Sequence, residues 1–182
     1  MQFKLYADGS VHSRHLGYIE PELPGGWACI ITDDGGQSLG ELHDSAMTPT
    51  IDRMELMAVM KGLNLIHACS PDPYNVVQIF SDSKYVLHVL LNELLPRFQS
   101  LFLEQSSFDH GLMENAHTLE HERDADIRQN LKNILSSNSV SFHKVNKSVA
   151  PKEHARCDRL AAKVRRQLAT KLGLPVKDFS QI

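Results

Sequence analysis

The stretch VVQIFSDSKYVLHVLLNELL, residues 76–95, determines the class of fold. Its first five residues form a short apolar run, which is typical of a strand buried inside a sheet. The Ser-Asp-Ser sequence at 81–83 offers side-chain oxygens that cap a helix, and residues 84–95 are predicted to form that helix. A strand that leads directly into a helix, with further strands on both sides, predicts an α/β domain with a right-handed parallel crossover.

Upstream of this stretch, the sequence predicts three antiparallel strands and a long helix. The alternation of Gln2 to Tyr6 indicates a strand that ends at the turn signal Asp8-Gly9-Ser10. A loop at 12–24 precedes a predicted hairpin, whose strands are 26–32 and 37–47. Residues 52–69 have helical periodicity, with Thr50 or Asp52 as the N-cap and Glu55 in the first turn.

Downstream, the pattern predicts a helix at 124–135, a strand at 140–145 and a last helix from Pro151 to about Leu172, which Gly173 ends. One face of the last helix is apolar: Cys157, Leu160, Ala161, Val164, Leu168 and Leu172. The opposite face is basic: Lys152, Arg156, Arg159, Lys163 and Arg166. We expect one domain over residues 1–173, followed by a tail at 174–182.

Composition excludes several classes of protein. The chain has 182 residues, 42% hydrophobic and 23% charged, which is typical of one globular domain. No apolar run approaches the roughly 20 residues of a membrane span, and no secretory signal is apparent, so we expect a cytoplasmic protein without membrane contact. Cys29, Cys69 and Cys157 are far apart, which argues against zinc ribbons and disulfide scaffolds and predicts three buried thiols.

The net charge of −3 hides an asymmetry along the chain. Residues 93–128 contain eight acidic residues and three arginines, whereas residues 144–177 contain ten Lys or Arg and two acidic residues. An acidic surface repels phosphates, so segment 93–128 is predicted to pack on the core or to bind a protein partner. The basic face of the last helix is either a solvated face or a surface that follows phosphates.

Four acidic residues lie where predicted strands or helices begin or end: Asp8, Glu55, Asp82 and Asp158. Taken singly, each is by default a cap or a surface acid. Gathered at one edge of a sheet, they could not all stay ionised without cations, and Mg²⁺ or Mn²⁺ would be the natural partners. Two such ions about 4 Å apart support phosphodiester cleavage.

Five segments resemble ribonuclease HI, in that family's order: LYADGS (5–10), GGWACII (25–31), TIDRMELMAVMKGL (50–63), QIFSDSKYV (78–86) and ARCDRLA (155–161). The resemblance implies a ribonuclease H-like α/β fold, a five-stranded mixed sheet flanked by helices. It also implies endonucleolytic hydrolysis of the RNA strand of RNA–DNA hybrids, with water activated between two Mg²⁺ or Mn²⁺ ions and products with a 5′-phosphate and a 3′-hydroxyl.

The resemblance also implies roles for individual residues. Asp8, Glu55, Asp82 and Asp158 match the catalytic, metal-binding carboxylates. Ser10 and Arg53 belong to the surrounding site, and Thr50 matches a phosphate contact. We add Lys84, Arg156 and Arg159 as candidate contacts to the substrate, because cations hold phosphates.

Several positions depart from the family's pattern. Ser148 replaces the loop histidine of the bacterial enzymes, and a hydroxyl cannot carry a proton near neutral pH. His154 is either an assisting residue or a surface histidine in the first turn of the last helix. Ile51, Asp52 and Lys84 replace amides that read the hybrid, and segment 93–128 has no tryptophan. Two alternatives therefore stay open: a nuclease of this fold with another nucleic-acid substrate, and a non-catalytic nucleic-acid or protein adaptor.

Overall fold

The computed structural model describes residues 1–12, 22–48, 50–71, 75–90, 124–135 and 139–176. In chain order, the described elements are β1 (Gln2–Val11), β2 (Leu23–Asp33), β3 (Ser38–Thr48), α1 (Ile51–Cys69), β4 (Val76–Ser81), α2 (Lys84–His88), α3 (Ala125–Leu135), β5 (Ser139–Lys144) and α4 (Lys152–Lys171). Most of segment 93–128, the end of the helix predicted at 84–95 and the last part of the tail lie outside the described residues.

The described strands form one five-stranded mixed sheet in the order β3-β2-β1-β4-β5. The first three strands are antiparallel neighbours, while β1, β4 and β5 run parallel. The predicted hairpin and the parallel crossover are both confirmed. β4 is an inner strand, with Val77 and Ile79 in one cluster of buried side chains and Phe80 packed against another on the opposite face. Because both of its faces are covered, its sequence is a nearly continuous apolar run.

The first strand is longer than the sequence predicts. The expected turn at residues 8–10 is wrong, because β1 continues to Val11. Its register with β2 pairs Asp8 with Ala28, Gly9 with Trp27 and Ser10 with Gly26. An Asp-Gly pair favours turns only locally, and here the ladder of hydrogen bonds to β2 prevails over that preference. Asp8 therefore lies within a strand rather than at its end.

The long helices are as predicted, apart from their first turns. The Thr50 hydroxyl caps α1 by accepting a hydrogen bond from the backbone N–H of Arg53, and Ser70 is the C-cap. α1 begins at Ile51, one residue earlier than predicted, so its first turn contains Asp52 and ends just before Glu55. α3 and β5 begin and end within a residue of their predicted bounds.

Two clusters of buried side chains cover the two faces of the sheet. The larger cluster contains Phe3, Leu5 and Ala7 of β1 together with residues of α1, α2 and α3. The smaller one contains Tyr6 of β1 together with Ala28 and Ile30 of β2 and Cys157 and Ala161 of α4. Because side chains alternate along a strand, the even-numbered residues of β1 face α4 and the odd-numbered ones face α1.

Two predictions about buried side chains are wrong. Leu172, the expected end of the apolar stripe, is 51% exposed, because α4 has ended at Lys171 and Leu172 is its C-cap. Cys69 is exposed at the end of α1, whereas Cys29 and Cys157 are buried as predicted. Among the described residues, no helix combines the length and the apolar character needed to cross a membrane.

Candidate active site

Asp8 and Asp82 come from adjacent parallel strands and lie at equivalent positions. The register of β1 and β4 pairs Tyr6 with Phe80, so Asp8 and Asp82 each follow the last pair by two residues. Asp82 comes directly after the end of β4, between Ser81 and the helix cap Ser83. Parallel pairing therefore brings the two carboxylates to the same end of the sheet.

Asp8 is a buried carboxylate among other carboxylates. Its exposed fraction is 3%, and one of its oxygens accepts a hydrogen bond of 2.9 Å from the backbone N–H of Gly9. Burial, followed by the negative charges of Asp82, Asp158 and Glu55, raises the pKa of Asp8 to about 8, although the Gly9 N–H opposes this. The charges of the other three predicted catalytic residues thus all act on Asp8.

Glu55 approaches this end of the sheet from α1, on the opposite face from α4. It is mostly buried, with 9% exposure. A Cβ atom built on Gly9 would lie 2.6 Å from the Glu55 backbone nitrogen and 2.8 Å from its Cγ. Glu55 therefore packs directly against the strand at the residue that follows Asp8, and only glycine leaves room for it.

The last helix contributes Asp158 and His154, which lie one turn apart. Asp158 is exposed, whereas His154 has only 2% exposure. The Nε2 atom of His154 lies 3.8 Å from Oδ1 of Asp82. The interpretation of His154 as a surface histidine is therefore wrong. Its burial has a signal in the sequence, since residues 154, 157 and 161 are spaced as one helical face, which therefore begins one turn before the predicted apolar stripe.

The donors in this group suit a divalent cation. One ligand atom each from Asp8, Asp82 and His154 lies within 4.8 Å of the others. Glu55 and Asp158 are outside this group of three, although their charges still raise the pKa of Asp8. Buried carboxylates that repel one another are stabilised by a cation, and oxygen and imidazole nitrogen are both ligands of divalent metals.

Several residues predicted to bind substrate contact other parts of the protein. Arg53 forms ion pairs with Asp124 at 3.0 Å and with Asp126 at 2.9 Å, both at the start of α3. Arg156 donates hydrogen bonds to Glu41 of β3. These pairs raise the pKa of each arginine and lower the pKa values of Asp126 and Glu41.

The remaining candidates differ in exposure. Lys84 and Arg159 are exposed and Thr50 is occupied as the cap of α1. Ser148 is exposed in a short 3₁₀ turn, where its N–H and hydroxyl both donate to the side chain of Asn146. Ile51 is 47% exposed at the first position of α1. Their roles toward a substrate stay predictions.

Arg165 contacts Ser10, and the sequence did not predict this contact. Its Nη1 donates hydrogen bonds of 3.0 Å to the Ser10 hydroxyl and to the Val11 carbonyl oxygen. Burial, and then the charge of Arg166, lower its pKa, while Asp158 raises it. Arg165 follows Asp158 by seven residues, or two helical turns, and that spacing could have placed it on the same face.

Comparisons with known proteins assign the family. The family model for RNase H matches residues 1–166, so the chain belongs to the RNase H family. A search of curated proteins finds no significant sequence match.

Solved structures share the fold at low sequence identity. RNase H1 from the halophilic archaeon Halobacterium salinarum superposes with a TM-score of 0.58 at 15% identity, over 92% of this chain and 99% of that one. LC11-RNase H1 in complex with an RNA/DNA hybrid superposes with a TM-score of 0.54 at 15% identity, over 91% of this chain and 98% of that one. The N-terminal RNase H domain of Rv2228c from Mycobacterium tuberculosis superposes with a TM-score of 0.57 at 14% identity, over 94% of this chain and 98% of that one. The predicted family and fold are therefore confirmed.

Proposed function

We propose that this protein is a divalent-metal-dependent endonuclease that cleaves the RNA strand of RNA–DNA hybrids. The observation that carries the proposal is the convergence on Asp8. In a chain of the RNase H family, its ligand atom lies with those of Asp82 and His154, and three other carboxylates raise its pKa. LC11-RNase H1, a structural neighbour, is known in complex with an RNA/DNA hybrid.

The four carboxylates have distinct positions in this proposal. Asp8 on β1 and Asp82 directly after β4 would hold the metal, and Glu55 on α1 and Asp158 on α4 would complete the site. Bound Mg²⁺ or Mn²⁺ would supply activation of water and stabilisation of the leaving oxygen. The N–H of Gly9 orients Asp8, because it donates to one carboxylate oxygen. The products are a 5′-phosphate and a 3′-hydroxyl.

Exposed cations near Asp158 would hold the substrate. Arg159 and Lys163 are exposed on α4 beside Asp158, and Lys84 is exposed at the start of α2, two residues after Asp82. Arg53 and Arg156 form ion pairs within the protein, so Arg159, Lys163 and Lys84 are the first candidates for phosphate contacts. Phosphate contacts of this kind position a duplex and do not identify it.

The test is a cleavage assay that compares three substrates: an RNA–DNA hybrid, double-stranded RNA and double-stranded DNA. We expect metal-dependent cleavage of the RNA strand of the hybrid, which Asp8→Asn abolishes and EDTA stops. Asp44→Asn, at an exposed position on β3, is the matched control and should retain full activity. Cleavage of another substrate in preference would favour the altered-substrate alternative, and binding without any cleavage would favour the adaptor.

A further inference from the structure

We propose that His154 is a direct ligand of the ion held by Asp8 and Asp82, and that its nitrogen makes this site favour Mn²⁺ or Co²⁺ over Mg²⁺. The inference rests on the metal site of the proposed function. It adds a ligand and a metal preference to that site, since the resemblance implies a site made of four carboxylates.

The distances fit a shared ion. Two donors bound to one ion at about 2.1 Å lie roughly 3 to 4.2 Å apart, depending on the angle between them. His154 Nε2 and Asp82 Oδ1 are 3.8 Å apart, inside this interval. All three ligand atoms lie within 4.8 Å of one another. Shifts of a few tenths of an ångström would therefore bring every pair of them into the interval of roughly 3 to 4.2 Å that a shared ion requires.

The packing of α4 holds the imidazole in place. Cys157, the next residue on the same helical face, is fully buried and its thiol donates to the Tyr6 carbonyl oxygen at 3.4 Å. Ala161 continues this face one turn later, also fully buried. The buried face of α4 thus holds His154 in place, with a ring nitrogen near the carboxylates of Asp8 and Asp82. A ligand on a rigid element needs little reorganisation to bind.

The chemistry of the donor sets the metal preference. Mg²⁺ binds oxygen ligands and retains several waters, whereas imidazole nitrogen suits transition metals. Asp8 and Asp82 alone would accept either class of ion. The addition of a neutral nitrogen donor favours Mn²⁺ and Co²⁺ without adding another negative charge.

A different role would leave another signature. His154 could act as a protonated partner of Asp82, because the 3.8 Å separation also meets the criterion for an ion pair. In that role the imidazole would stabilise the metal-free protein, and its loss would alter binding of Mg²⁺ and Co²⁺ alike. The ratio of the two affinities therefore separates a ligand from an ion-pair partner.

The experiment measures metal binding to the full chain directly. Calorimetric titrations with Co²⁺, Mn²⁺ and Mg²⁺ would compare the unmodified protein, His154→Asn and the control His67→Asn, which changes an exposed histidine on α1. We expect His154→Asn to weaken Co²⁺ binding by at least about tenfold and Mg²⁺ binding much less. The visible absorption of bound Co²⁺ should also change in His154→Asn and stay unchanged in His67→Asn.

The outcomes separate this inference from the proposed function. Equal losses of Co²⁺ and Mg²⁺ affinity, or an unchanged Co²⁺ spectrum, overturn the ligand role even where the hybrid is still cleaved. If the unmodified protein binds no divalent ion, both the proposed metal site and the proposed metal-dependent nuclease function are contradicted. Circular dichroism in EDTA shows whether His154→Asn is folded, and His154→Gln provides a second variant of similar polarity.

Discussion

Gly9 is the residue at which the strand that carries Asp8 meets the helix that carries Glu55. Local sequence rules assign Asp-Gly to a turn, and that prediction is wrong. The glycine is explained instead by the absence of a side chain, because the backbone of α1 comes too close for a Cβ atom. This close approach depends on tertiary packing, so no pattern within the strand could have revealed it.

Substitution of Gly9 by alanine should disturb both the fold and the site. The added Cβ would meet the Glu55 backbone nitrogen at 2.6 Å, and backbone cannot rotate away as a side chain can. We expect Gly9→Ala to lower the free energy of unfolding by about 1–3 kcal/mol in urea titrations. Gly35→Ala is the control, because its Cβ would meet Asp33 at an ordinary 3.4 Å. Equal effects of the two substitutions would contradict the steric argument.

Asp8 should make the metal-free protein less stable as the pH rises. Its pKa is 3.8 for an ordinary aspartate and about 8 here, so ionisation is opposed in the folded state but not in the unfolded one. Stability in EDTA should therefore fall between about pH 4 and pH 8, where the unfolded chain is ionised first.

Asp8→Asn removes this titrating group while keeping an oxygen for the Gly9 N–H. In EDTA at pH 8 we expect it to raise the Tm by several degrees, because about 1 kcal/mol corresponds to roughly 2–4 °C at this size. The difference should vanish near pH 4, and added Mn²⁺ should raise the Tm of the unmodified protein alone. A Tm for Asp8→Asn at or below the unmodified value at pH 8 would contradict the cause given for the shift.

A buried network of polar side chains links α3 to α1 and α2. Asp124, with 2% exposure, accepts hydrogen bonds from Arg53 at 3.0 Å and from the Tyr85 hydroxyl at 2.9 Å. Arg128 donates to the same hydroxyl at 2.8 Å. The described acidic residues of segment 93–128, Asp124 and Asp126, are thus both paired with Arg53, which a count of charges along the sequence could not show.

The two aspartates that bind Arg53 should differ in their contribution to stability. Asp124 is buried, whereas the side chain of Asp126 is 62% exposed. Asp124→Ala removes the buried carboxylate that accepts hydrogen bonds from both Arg53 and the Tyr85 hydroxyl, and it should cost about 3 kcal/mol. Asp126→Ala removes an exposed pair and should cost less than about 1 kcal/mol. Urea denaturation of the two variants measures the difference, and similar losses would argue against the network.

The basic face of α4 is the element expected to hold the hybrid. Each phosphate contact adds about one unit to the slope of affinity against salt on a B-form duplex. We expect the double variant Arg159→Glu, Lys163→Glu to weaken hybrid binding at low salt and to flatten that slope in fluorescence anisotropy titrations. Lys61→Glu, Lys132→Glu makes the same change in charge at exposed positions on α1 and α3. Equal losses in both double variants would assign the effect to net charge alone.

For the molecule as a whole, the antiparallel and parallel pairings of the first four strands were predictable from the sequence, but the position of the helices on the sheet was not. Alternation, the turn at 33–36 and the apolar run at 76–80 are local signals, and the sheet has the predicted antiparallel and parallel halves. The four carboxylates were found through resemblance. The burial of His154 and the contact from Arg165 depend on how α4 lies across three strands, which is a long-range property.

The dependence of the site on α4 also bears on the order of synthesis. Asp8, Glu55 and Asp82 are all synthesised before His154 and Asp158, which follow Asp82 by more than 70 residues. A ribosome-bound chain that has not yet released residues 152–171 lacks the helix that packs on Tyr6 and supplies His154 to the group of ligand atoms. Under the proposed function, chains that lack this helix would therefore not cleave a hybrid, and activity would begin only when the last helix docks.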